Sequence, residues 1–275
     1  MAGTPAIARS LNDAELAKGS DSSLIWMGSR VANAPPPDLW AGAPAPNDND
    51  PSRAFLFFDD FLQQASATAS AYAAYTAMND AATGTPAFQN VAGGVYNLVT
   101  AAAQDDYSGI RTTAKPWLFA AGKELWLEAR FKVAEAATNK SAWIFGLVDT
   151  VTTGGLQTGA SGPLASYDGA VIWKDEGAMI ANFETSKAGT QSTTSALGTV
   201  VTDTWTKVGF YFDGAATTAN IFPYVDVGAG WVAGASKQIT LSGLNQMQLI
   251  ATIKAGAGGA AETLQVDYLK VLQLR

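Results

Sequence analysis

Between residues 124 and 133 apolar and polar side chains alternate. Leu125, Leu127, Ala129, Phe131 and Val133 fall on one side of an extended backbone, and Trp126, Glu128, Arg130 and Lys132 on the other. A period of two sustained over that length predicts a β-strand with one face in a core and the other exposed or at an interface. The next apolar run, residues 141–148, is nearly continuous and predicts a strand buried on both faces. Further strands are predicted at 55–61, 108–113, 169–174, 179–185, 205–213, 220–227, 247–254 and 263–274. A strand pair is expected around Gly93-Gly94. Turn signals separate the strands: Asp175-Glu176-Gly177, Asp213-Gly214, Gly228-Ala229-Gly230 and Gly256-Ala257-Gly258-Gly259, the last read as a hairpin turn. A long Gly/Ser/Thr-rich loop covers about 149–167, and the Ala-rich stretch 65–83 reads as a helix or an irregular excursion. Many strands at this spacing, with no strong helix between them, predict an all-β sandwich or jelly roll over 52–275.

Residues 1–51 read differently. A short helix is expected from an Asn12-Asp13 cap through Ala14 to Lys18, stopped by Gly19. An isolated apolar segment, Leu24-Ile25-Trp26-Met27, follows, then Pro35-Pro36-Pro37, Trp40, Pro44, Pro46 and the polar run from Asn47 to Pro51. Proline at this density favours an extended, polyproline-like path. Trp26, Met27, Leu39 and Trp40 are larger and more apolar than a solvated tail requires, and read as anchors. Two surfaces could receive them: the chain's own sandwich or a neighbouring subunit.

Composition narrows the chemistry. The 275 residues carry 17 basic and 24 acidic side chains, a net charge of −7, without the clustered Lys and Arg that nucleic acid requires. No apolar run is long enough for a membrane-spanning helix, and no basic amphipathic stretch points to a membrane surface. The N-terminus lacks the charged start and apolar block of a signal peptide, so synthesis in a cytoplasm is expected. There is no cysteine and no histidine. That removes disulfides, thiol nucleophiles, Ser-His-Asp sites and the commonest zinc ligands. With charged residues at only 15%, the surface would suit a chain covered by neighbours.

The order of these segments resembles the concanavalin A-like lectin/glucanase superfamily, in the laminin-G-like form found among tailed-bacteriophage virion proteins. The resemblance rests on Phe57-Phe58-Asp59-Asp60-Phe61, Leu127 to Val133, Phe145-Gly146-Leu147-Val148-Asp149, Asp168 to Lys174, Asp203 to Phe210 and Val266 to Val271. It covers about 55–275 and leaves the arm unmatched. It implies a jelly roll of two antiparallel sheets, and the role of a capsid decoration (cement) protein on the virion surface. The implied partners are the major capsid protein and copies of the chain itself, with a trimer as the expected oligomer. An adhesion module of a head or tail fibre, binding a glycan through Trp173, Trp205 or Trp231, is the alternative. A glycoside hydrolase is the remote one.

Glycosidases of this superfamily carry Glu-x-Asp-x-x-Glu or Glu-x-Asp-x-Glu on one strand, and neither motif occurs here. Glu124 and Glu128, with Trp126 between them, are the nearest substitute, so a non-enzymatic role is expected. In a jelly roll the first and last strands lie side by side, which predicts that Asp59, Asp60 and Asp267 converge. Their hard oxygen ligands would suit Ca²⁺. The competing expectation is that these acids cap a loop or pair with Lys270 or Arg53.

Overall fold

The computed structural model describes residues 15–18, 24–27, 35–44, 52–62, 74–80, 86–89, 91–136, 138–151, 153–157 and 162–275. Eighteen strands account for nearly all its regular structure: β1 (Glu15–Lys18), β2 (Leu24–Met27), β3 (Ala54–Asp59), β4 (Tyr75–Asn79), β5 (Ala87–Gln89), β6 (Val95–Val99), β7 (Tyr107–Thr112), β8 (Leu125–Ala134) and β9 (Ser141–Val148), then β10 (Gly169–Lys174), β11 (Ile180–Lys187), β12 (Thr190–Thr199), β13 (Thr206–Phe212), β14 (Thr218–Asp226), β15 (Val232–Ala233), β16 (Lys237–Thr240), β17 (Gln248–Ala255) and β18 (Thr263–Leu274). The described residues include no α-helix, only one 3₁₀ turn at Thr153–Leu156.

Two antiparallel sheets face each other, as the strand pattern predicts. The seven-stranded sheet runs β12-β11-β10-β9-β17-β7-β4. The nine-stranded sheet runs β15-β14-β13-β8-β18-β6-β5, with β16 also on β14 and β3 also on β18. Between them Leu125, Leu127, Ala129, Phe131 and Val133 of β8 meet Trp143, Phe145 and Leu147 of β9, joined by Phe210, Ile221, Phe183 and Leu249. Burying a side chain of this size contributes about 1.5–3 kcal/mol, so this single core carries most of the stability.

Several expectations change. Glu15–Lys18 is a strand paired antiparallel with Leu24–Met27, not a helix: four residues are too few to close more than one helical turn, whereas the apolar second segment offers a ladder. The Asn12-Asp13 cap, Asn47 to Pro51 and residues 63–73 lie outside the described residues, as do the side chains of Trp26 and Met27. The tail of the Ala-rich stretch is strand β4, held by β7. The turn at 93–94 joins β5 to β6. The glycines at 256–259 do not form a hairpin: β17 belongs to one sheet and β18 to the other, so this turn crosses between sheets. Strands β12 and β16, polar and Thr/Ser/Gln-rich, were not anticipated because their alternation is weak.

Candidate functional site

The outward face of the nine-stranded sheet is apolar where an exposed surface would be polar. Trp126, Tyr211, Phe222, Tyr224 and Leu272 all project from it, and the segment 35–44 covers them as a strap. Leu39 is completely buried in this cluster. It lies over Gly209, where any β-carbon would collide with the Leu39 side chain and with the carbonyl of Leu127. A glycine inside a central strand marks such a close approach. The Tyr224 hydroxyl donates to the Pro36 carbonyl at 3.0 Å, and Asp38 closes a turn by accepting the Trp40 amide at 2.8 Å. The Trp40 indole N–H donates to Glu128 Oε2, and the ammonium of Lys270 sits 3.6 Å from the centre of the indole ring. Leu39 and Trp40, read from sequence as anchors, are thus placed on the chain's own sheet. The reason is the need to cover five large side chains that face away from the core.

The strap also occupies the carboxylates. Glu128 accepts from Trp40 and from the Tyr268 hydroxyl, and Glu124 accepts from Tyr211 at 2.8 Å. Burial raises the Tyr268 hydroxyl pKa, and the Glu128 hydrogen bond adds to that. Burial lowers that of Lys270, against the opposing pull of Glu128. Glu124 immediately precedes β8 and Glu128 lies within it, so along an extended backbone their α-carbons are about 13 Å apart. Paired carboxylates of glycoside hydrolysis work at about 5–9.5 Å.

Asp59, Asp60 and Asp267 do not converge. Asp59 lies opposite Leu269 in the β3–β18 ladder, on the core side, and its Oδ1 accepts the Phe61 amide at 2.8 Å. A bulge between Val266 and Tyr268 re-phases β18, and Asp267, the extra residue, reaches Arg130 on the outward face. Asp60 is half-buried just after β3. No group of three or more acidic, His or Cys side chains able to hold a metal ion occurs among the described residues.

Beside the strap the same face carries a row of charges. Arg130 lies opposite Lys207, and Lys207 opposite Asp226, with which it pairs at 2.7 Å. Burial alone would raise the Asp226 pKa, but Lys207 and the Gly228 and Gly230 amides outweigh it, and the net shift is downward. Half-buried indoles flank the row: Arg130 and Lys132 lie over Trp205 at 4.7 and 5.5 Å, and Lys207 over Trp231 at 4.8 Å.

The outward face of the seven-stranded sheet is roofed by the loop after β9. Leu156 and Tyr167 from this loop are buried with Val148, Ile144, Val171, Trp173 and Ile250, so Trp173 is a core side chain of this second cluster. Glu184 is buried there without a basic partner among its hydrogen bonds. It accepts from Tyr167 at 2.9 Å, Gln191 at 2.6 Å and Thr193 at 2.8 Å. Burial raises its pKa although all three donors pull the other way. At one end of the sandwich Lys174 is fully buried, 3.1 Å from Glu135. Burial lowers its pKa, opposed by Glu135.

One sequence signal pointed to the strap. The runs Val208-Gly209-Phe210-Tyr211-Phe212 and Ile221-Phe222-Pro223-Tyr224-Val225 are apolar on both faces, which a sheet with one wet face does not require. Nothing local signalled Glu184, whose three donors lie on the loop and the next strand.

No family model matches the chain, and no curated protein sequence does. Solved structures do. Peanut lectin superposes with a TM-score of 0.56 at 12% identity, over 81% of this chain and 98% of the lectin. Basic winged bean lectin gives 0.54 at 11%, over 80% and 99%. An endo-1,3-β-glucanase from Streptomyces sioyaensis gives 0.54 at 17%, over 84% and 99%. At these identities the likeness is one of fold, and the fold is the concanavalin A-like jelly roll of lectins and glucanases.

Proposed function

We propose that this chain is a non-enzymatic binding and assembly module, and that its setting is the surface of a bacteriophage virion, where it decorates the shell. One observation carries the non-enzymatic part. The chain's own segments cover much of both outward sheet faces, and the carboxylates there, Glu124, Glu128 and Glu184, are held by tyrosine, tryptophan, threonine and glutamine donors. A glycoside hydrolase of this fold class works with two carboxyl groups at catalytic separation around the glycosidic bond. The decoration part is supported by the motif order read from sequence and by the chain's low share of charged residues, 15%. Its mechanism is passive: a rigid sandwich contributes contact area across shell joints. Quantifying the chain in purified particles tests this reading. A copy number near that of the major shell protein is expected, whereas its absence from particles overturns the reading.

A second reading has its own observation. Trp205 and Trp231, half-buried on one face beside Arg130, Lys132 and Lys207, present aromatic platforms beside cations. That chemistry would stack on and pair with an acidic glycan, and the solved neighbours include lectins. Glycan-array binding that Trp205→Ala and Trp231→Ala abolish would favour adhesion, and silence on the array favours decoration.

A further inference from the structure

At one end of the sandwich a lysine and a carboxyl group meet in a buried site that joins the two sheets. Lys174 ends β10, in the seven-stranded sheet, and Glu135 directly follows β8, in the nine-stranded sheet. Their side chains are 0% and 3% exposed, and Lys174 Nζ stands 3.1 Å from Glu135 Oε1. An ion pair withdrawn this far from solvent loses most of its hydration. Passing one proton from the ammonium to the carboxylate leaves a neutral amine beside a neutral acid, which relieves that loss. Burial pushes the lysine in this direction, against the pull of Glu135, Asp175 and Glu262.

The surrounding hydrogen bonds aim the two groups at each other. A neutral amine has two N–H donors and one lone pair. Nζ donates to the Ser141 carbonyl and, at 3.0 Å, to the Asp175 carbonyl. With both N–H bonds taken, the lone pair is left for the carboxyl carbon of Glu135. Each carboxyl oxygen of Glu135 is held by a backbone amide: Asn139 donates to Oε2 at 2.6 Å and Ser141 to Oε1 at 3.1 Å. The Ser141 hydroxyl adds a further donor to Oε1 at 2.5 Å. Donors fixed in place on both oxygens stabilise the negative charge that attack on that carbon creates. The segment carrying Glu135 is fixed in turn, since the buried Glu262 carboxyl accepts the Ala136 amide at 2.9 Å. Two groups held in this way react at an effective concentration that free reactants never reach.

We infer that Lys174 and Glu135 join through an amide between their side chains, a cross-link that the folded chain forms on itself. Nζ bonds to Cδ of Glu135, and the bond from Cδ to one carboxyl oxygen breaks. That oxygen departs as water, with the proton of the acid and one proton from the amine. Atoms and electrons balance within the pair, so no oxidant, cofactor or second protein takes part. The bond staples the end of β10 to the end of β8, one sheet to the other, in a chain that has no cysteine. Like a disulfide, it restricts the unfolded chain and so favours the folded one. It is independent of whether the chain decorates a shell or binds a glycan.

Intact-mass spectrometry of the purified full chain tests the inference. The folded protein should weigh one water less than its sequence requires. A protease digest should contain one branched peptide that carries both Glu135 and Lys174. Lys174→Met and Glu135→Ala should each restore the full sequence mass and remove the branched peptide. Should either variant fail to fold, the wild-type digest still decides, because tandem fragmentation reads the linked pair directly. A folded wild-type chain at its full sequence mass would overturn the inference and leave an ion pair. So would a lost water that maps to another site or persists in both variants.

Discussion

Leu39→Ala measures whether the strap is part of the fold. The Leu39 side chain is fully buried among Trp126, Tyr211, Phe222 and Tyr224, in the slot that Gly209 leaves open. Truncating a buried leucine costs about 2–5 kcal/mol, the spread depending on how far the site collapses. The strap is a surface segment that can lift away locally, which caps the cost at its own docking free energy and favours the lower end, about 2–3 kcal/mol. In a chain of this size about 1 kcal/mol moves Tm by roughly 2–4 °C, so a fall of about 4–12 °C is expected in a calorimetric or near-ultraviolet melt. Undocking also uncovers the aromatic face. Hydrogen exchange should therefore speed up at the Ala41 and Ala43 amides, bonded to Asp38 and Trp40, with little change in β8 and β13. A Tm within about 1 °C of wild type, with unchanged exchange at those amides, would refute the docking.

Three further variants probe the same physics elsewhere. Gly209→Val inserts a branched side chain where a β-carbon already collides with Leu39, and should lower stability by about 1–3 kcal/mol through overpacking and strap displacement, read by denaturant titration. Lys174→Met leaves Glu135 buried without its cation and should cost about 3–5 kcal/mol; a variant as stable as wild type would mean the pair contributes nothing. Glu184 sets a pH dependence: its raised pKa means the folded chain holds the proton more tightly than the unfolded one. Its contribution to stability is therefore fully present below about pH 4.3, the unfolded value, and is lost as pH rises through the raised folded value. Glu184→Gln should flatten the Tm-against-pH curve across that window, and an unchanged curve would refute the assignment.

Alternation over 124–133 and the continuous apolar run at 141–148 determined two facing strands and an all-β core, because a period of two reports directly which faces are dry. The same signal, read on both sides of 208–212 and 221–225, already implied that something covers the outer face of that sheet. The absence of His and Cys removed whole classes of chemistry without any coordinates. Periodicity says that a face is buried but not by what, so only the tertiary structure showed that Leu39 and Trp40 meet their own sheet. It also decided that the 256–259 turn crosses between sheets, since a glycine turn looks the same locally whether the next strand returns or departs. The bulge at Asp267 shifted the phase of β18 by one residue, sending that carboxylate to Arg130 and away from Asp59. Such a shift depends on the neighbouring ladders, which no local pattern encodes. The place of β3 beside β18 is likewise a property of strand order: its apolar sequence was plain, but its position among the described strands was set by which half of β18 it could pair with.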